Sequence, residues 1–134
     1  KDVSESLSAV SSIVKMGSSS PEAIREYLMP MMPKLFQDKN IRVHTRAAFI
    51  LSGLISTSPD LRGDLVRRIV SLLSDKDRVM RLFAAGLLGQ VAAEAPEHLK
   101  IFMNEIMALL EDRDKLRAAD ASFALGEIGY RAPS

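Results

Sequence analysis

Cysteine is absent from this sequence, so it can build neither a disulfide framework nor a thiolate metal site, a composition that suits a reducing compartment. Tryptophan is absent too, and aromatic residues make up only 5% of the chain against 47% for all hydrophobic residues. The core must therefore be built from Leu, Ile, Val, Ala and Met, which favours packed helices over a β-sandwich. A run of about 18 apolar residues occurs nowhere, and the opening "KDVSESLSAVSS" lacks the basic-then-apolar order of a secretory signal. Those absences predict a soluble, cytoplasmic chain with no membrane partner, and Lys1 in place of an initiator Met points to a piece of something longer. Charge of one sign is scarce as well: 18 basic and 17 acidic residues leave +1, which singles out no polyanionic partner. The signatures G-x-G-x-x-G, P-loop and H-E-x-x-H are missing, and the two histidines, His44 and His98, fall in different parts of the chain. No catalytic residue, metal site or cofactor is expected.

What is present is repetition. "LFQDKN" at 35–40, "LLSDKD" at 72–77 and "LLEDRD" at 109–114 each start 37 residues after the last. Pro21, Pro59 and Pro96 are spaced 38 and 37 apart, and Pro133 falls another 37 on. Ala47, Ala84 and Ala121 match, as do Leu51, Leu88 and Leu125, and Leu54, Val91 and Ile128; Ala9, Ile13 and Met16 hold the same places before Pro21. The pattern predicts one domain over 1–134, made of a trailing helix at 1–20 and repeats at 21–58, 59–95 and 96–132. The expected fold class is all-α: an α-α superhelix of about three and a half helical hairpins, because a hairpin of this length cannot bury its apolar faces alone.

Each repeat reads as two helices. The first begins at its proline, whose fixed φ suits the first helical position. Ser20 and Ser58 are placed to cap two of these helices, whereas Ala95 cannot, which would leave that end weaker by about 1 kcal/mol. In the last repeat Leu99, Phe102, Met103, Ile106, Leu109 and Leu110 form one apolar stripe. "YLMPMMPKLF" places Pro30 and Pro33 inside a helical pattern, so this helix should kink or split near Pro30.

The second helix follows the repeated triplet, with Asn40, Asp77 and Asp114 at the N-cap. Asp38, Asp75 and Asp112 close the first helix, where a carboxylate opposes the dipole, so they should accept turn amides or pair with Arg. A calcium or magnesium site needs several carboxylates converging on one ion, and the repeat spaces these acids one unit apart. His44 is expected to hydrogen-bond within its own turn, and His98 to be solvated at a helix start.

In this register the units resemble HEAT repeats, the helical hairpins of α-solenoid scaffolds. "SDKDRVMRLFAAGLLGQV" carries the family's turn Asp at Asp75, Met80 in the Val place, then Arg81, Ala84, Leu88 and Gly89. "PMMPKLFQDKNIRVHTRAAFILSGLI" matches at Pro30, Asp38, Val43, Ala47 and Leu51, with His44 where the Arg belongs. In "EDRDKLRAADASFALGEIG" Leu116 and Arg117 stand one place early. The resemblance implies a curved stack with the second helices on the concave side, and a non-catalytic scaffold or adaptor that binds protein or peptide there.

Removing core positions from the second helices leaves a candidate binding face. It holds Arg42, Thr45, Phe49 and Ser52, then Arg78, Leu82, Gly86, Gly89 and Gln90, then Ala119, Phe123, Gly126 and Glu127. Phe49 and Phe123 share a repeat position with Gly86 between them, which suits two aromatic posts flanking a slot for an apolar anchor; the alternative is that both rings belong to the core. Partner contacts are assigned to Arg42, Thr45, Phe49, Arg78, Leu82, Gln90, Phe123 and Glu127. The second reading is nucleic-acid or phosphate binding through Arg42, Arg46, Arg78, Arg81, Lys115 and Arg117 at the helix starts. Against it, repeat 21–58 has five basic and three acidic residues, 59–95 six and five, and 96–132 five and seven, so the sign is not held along the chain. Leu116, Phe123, Leu125 and Ile128 in the last helix should leave apolar surface open to the parent protein or to end-to-end self-association.

Overall fold

Helix formation in this chain is set by turns that recur at the repeat period. In the computed structural model, which describes residues 3–38 and 40–133, every regular element is helical. The α-helices are α1 (Val3–Ser19), α2 (Pro21–Ala23), α3 (Met32–Gln37), α4 (Ile41–Thr57), α5 (Arg62–Leu72), α6 (Arg78–Glu94), α7 (Met103–Ala108) and α8 (Lys115–Arg131). The three second helices, α4, α6 and α8, are each 17 residues long, and they start at 41, 78 and 115, at the 37-residue interval. The fold is all-α, made of helical hairpins compatible with the α-α superhelix class.

The repeated acid-base-acid triplet is a doubly capped turn. Asn40 Oδ1 accepts from the Arg42 N–H at 2.9 Å, Asp77 Oδ1 from Val79 at 2.9 Å, and Asp114 Oδ1 from Leu116 at 2.9 Å and Arg117 at 3.2 Å. Two residues earlier, Asp38, Asp75 and Asp112 each accept the N–H of the cap residue itself at 2.8 Å. Both capping side chains thus satisfy amides that the helix start would otherwise leave orphaned. Their spacing reflects architecture.

The caps expected at the first helices are different. Ser20 and Ser58 make no side-chain cap bond, and the buried Ser58 Oγ has no partner. These serines and Ala95 share one backbone role instead. Each donates its N–H to the end of the preceding helix, Ser20 to Met16, Ser58 to Leu54 and Ala95 to Val91, while its own carbonyl opens the next one. Because the junction is made by backbone, Ala95 makes the same bonds as the two serines.

The helical stretch that opens at Pro21 splits where expected. After α2 a π turn covers Ile24–Leu28, a 3-10 turn covers Met29–Met31, and α3 resumes with Pro33 in its first turn. Pro30 has no N–H to donate and its ring crowds the preceding turn, so the wider π turn and the tighter 3-10 turn take up the mismatch. The first helix of 96–132 is also segmented, into 3-10 turns at Pro96–His98 and Lys100–Phe102, then α7, then a 3-10 turn at Leu109–Glu111.

The chain forms two compact units, 1–62 and 63–134. In the first, α1 packs on α4 through glycine. A Cβ on Gly17 would meet Leu54 and Ser58, and one on Gly53 would meet Val14, so these two positions allow the helices to approach. Ile24, Met29, Met32, Ala47, Leu51, Leu54 and Ile55 are buried there. In the second unit α6 packs along α8, and Leu65, Ile69, Leu73, Met80, Ala84, Leu88, Val91, Ile106 and Ala124 are buried.

Candidate partner-binding site

The second helices bury one face and leave another open. On α4, Arg42 and Phe49 are exposed, Phe49 at 58%, while Thr45 and Ser52 are half-buried. On α6, Arg78, Leu82 and Gly86 are exposed and Gln90 is half-buried. On α8, Ala119, Phe123 and Gly126 are exposed, with Phe123 at 49%, and Glu127 is half-buried. The two aromatic rings therefore stand in solvent, each within its own unit. Gly86 has open space where a Cβ would be, a true gap in the α6 row.

Gly89 does not belong to this face. It is buried, and a Cβ there would stand 3.1 Å from Arg131 Cδ and 3.3 Å from Glu127 Cβ, so its small size serves the α6–α8 contact. Three exposed apolar residues extend the rows beyond the expected set: Val79 on α6, and Leu116 and Tyr130 on α8. Leu116, Ala119, Phe123, Gly126 and Tyr130 recur at alternating spacings of three and four, the signal that marks them as one stripe.

The arginines at the helix starts divide into internal and external groups. Arg81 is buried; its Nε donates to Asp120 Oδ2 at 2.9 Å, and an η nitrogen donates to the carbonyls of Asp75 at 2.8 Å and Lys76 at 3.3 Å. Arg78 reaches the other oxygen of the same buried carboxylate at 3.3 Å, with about half its side chain in solvent. The Arg contact thus runs to turn carbonyls and to a carboxylate on the following hairpin, whereas turn carboxylates were the expected partners. Asp114 carries a clear electrostatic shift. The Arg117 amide, then the Leu116 amide, hold it below the usual carboxylate range, with smaller help from the Arg117 and Arg81 charges.

His44 stands 37 residues before Arg81, is 6% exposed, and neither ring nitrogen has a hydrogen-bond partner. The expected bond within its turn is not made, because imidazole is too short for the reach that takes Arg81 to its turn carbonyls. His98 is half-buried, 3.9 Å from the Glu97 carboxylate. Among the described residues no His, Asp and Glu group is arranged to hold a metal, and no helix is long and apolar enough to cross a membrane.

Helical hairpins with capped turns are consistent with a helical-repeat scaffold of the HEAT-like class. Residues 11–125, most of the chain, match the family model described as Cnd1, non-SMC mitotic condensation complex subunit 1. The chain belongs to this family, whose members are non-enzymatic subunits of a protein complex. A specifically cytoplasmic location finds no support in that membership. No curated protein and no solved structure matches the chain significantly.

Proposed function

We propose that the chain is a non-catalytic scaffold segment of a chromosome-condensation complex that holds a protein partner on the open rows of its second helices. Membership of a condensation-complex subunit family over residues 11–125 carries this reading. The rows supply the means. Phe49 with Arg42 and Thr45 on α4 offers one apolar anchor point; Leu82, Phe123 and the Gly86 gap, flanked by Arg78, Gln90 and Glu127, offer another on α6 and α8. Exposed aromatics beside small residues suit a helix or extended peptide that inserts apolar side chains. The curvature of HEAT-like solenoids would put these rows on the concave side, with 1–20, 21–58, 59–95 and 96–132 as successive repeats. The location follows the complex, at chromosomes.

The arginines favour protein over nucleic acid. Arg81 is consumed internally and Arg78 is shared with Asp120, so two of the six cluster cations neutralise the chain's own carboxylate. The test is co-purification with the remaining subunits of the source's condensation complex at about 0.1 M and about 0.5 M salt. Protein retained at both salts is the expected result. Nucleic acid alone, retained only at low salt, would replace this reading with the phosphate-binding one.

A further inference from the structure

The three copies of the capped turn are entered differently. The helix before the first runs to Gln37, and the 3-10 turn before the third runs to Glu111, but α5 ends at Leu72, two residues short of the matching position, Ser74. Ser74 is exposed, and its N–H donates to the Ser71 carbonyl at 3.2 Å, with Leu73 and Asp75 bound to Val70 and Leu72 at 3.1 Å in the same tight way. Glu111 is exposed at the same repeat position, so this point of the turn faces solvent and accommodates an anion.

Ser74 is also the one Ser or Thr of the chain followed by carboxylates at both the first and the third position beyond it, Asp75 and Asp77. One oxygen of each accepts a backbone N–H, Asp75 from Asp77 at 2.8 Å and Asp77 from Val79 at 2.9 Å, which fixes the direction of both acids. Ser19 and Thr57 have an acid three residues on, but each donates its hydroxyl to a helix carbonyl, Lys15 at 3.2 Å and Gly53 at 2.8 Å. Ser71, which follows Arg67 and Arg68, is bound to the Arg67 carbonyl at 3.1 Å. A protein kinase takes its acceptor hydroxyl from backbone that can be drawn out straight, so hydroxyls inside a helix are withheld and one in a short turn is offered.

We infer that Ser74 is a phosphorylation site for an acidophilic serine kinase, one whose substrate groove carries cations that read Asp75 and Asp77. The Ser74 Oγ attacks the γ-phosphorus of ATP; the Oγ–P bond forms as the bridge to the β-phosphate breaks, ADP leaves, and the hydroxyl proton passes to a base of the kinase. The phosphoryl group brings a charge of about −1.5 to −2 at pH 7. It stands beyond the carbonyl end of α5 and beside two carboxylates, where an anion is unfavourable. The same turn supplies the Asp75 and Lys76 carbonyls that hold the buried Arg81, so loading it loosens the anchorage of that arginine at the start of α6. The inference is independent of the partner proposed for the second-helix rows.

The test incubates the chain with ATP and a purified casein-type acidophilic kinase, reading stoichiometry by intact mass and position by peptide fragmentation. The expected result is one phosphoryl group per chain, on Ser74, and none on S74A. D77N isolates recognition from folding: Asn40 caps α4 from the matching position, so the variant keeps its N-cap and a near wild-type urea midpoint. Its kcat/KM as a kinase substrate should fall about tenfold, the effect of one lost charge-assisted contact. The phosphorylated chain should unfold at a lower urea midpoint than the mock-treated one. No incorporation, incorporation on Ser19, Thr57 or Ser71 in place of Ser74, or D77N accepted as readily as the wild type would overturn the assignment. A midpoint unmoved or raised by the phosphate would overturn the loosening of the turn.

Discussion

Asp120 shows how much one side chain can decide. It is 2% exposed and carries two arginines of α6, so its removal would strand the buried Arg81 charge. Asp120→Ala is predicted to cost about 3–5 kcal/mol by urea unfolding, and the double variant Asp120→Leu/Arg81→Met much less than the sum of its singles. Nothing in the sequence announced this role. Arg46, Phe83 and Asp120 share one repeat position, so periodicity offers no common residue type, and the pairing joins residues 39 and 42 positions apart. The caps were legible because their partners lie two or three residues away. At Asp114 the lowered pKa means that the ionised form contributes stability above the ordinary carboxylate range, a contribution lost as pH falls through the depressed value. The stability gap between the wild type and Asp114→Ala should therefore be constant above about pH 5 and close as pH drops below about 4, as equilibrium unfolding across that range would show.

Helices add constraints that no single residue carries. The α1–α4 contact depends on Gly17, where an added Cβ meets the side chains of the buried Leu54 and Ser58. Gly17→Ala should destabilise the chain by about 1–3 kcal/mol despite its better helix propensity. Gly86 sits within α6 with open space around it, so Gly86→Ala should stabilise the chain by about 0.5–1 kcal/mol, and the two opposite shifts in thermal midpoint check the pair. Glycine composition alone could not separate them, because the difference lies in what the neighbouring helix brings. The split at Pro30 was legible, since proline acts on its own turn. The junctions at Ser20, Ser58 and Ala95 were misread because backbone carbonyls do the capping, and a backbone role leaves no side-chain signature.

At the scale of the whole chain, repeat period and hairpin class were open to reading because each unit reinforces the others. The binding rows were partly legible: Phe49, Leu82 and Phe123 are exposed as their helical phase demands, whereas Gly89 looked like a surface gap until α8 closed over it. Val79 and Tyr130 were hidden by their apolar character, which reads as core in a sequence, whereas the open surface expected at Leu116 is found. The scaffold claim rests on rows that matter for association and little for folding. Its most direct test is the variant Leu82→Ala/Phe123→Ala, measured for urea stability and for retention by the other subunits of the condensation complex. The account predicts a stability change within about 1 kcal/mol and clear loss of retention. A variant that loses several kcal/mol, or one that folds normally and is retained like the wild type, would contradict it.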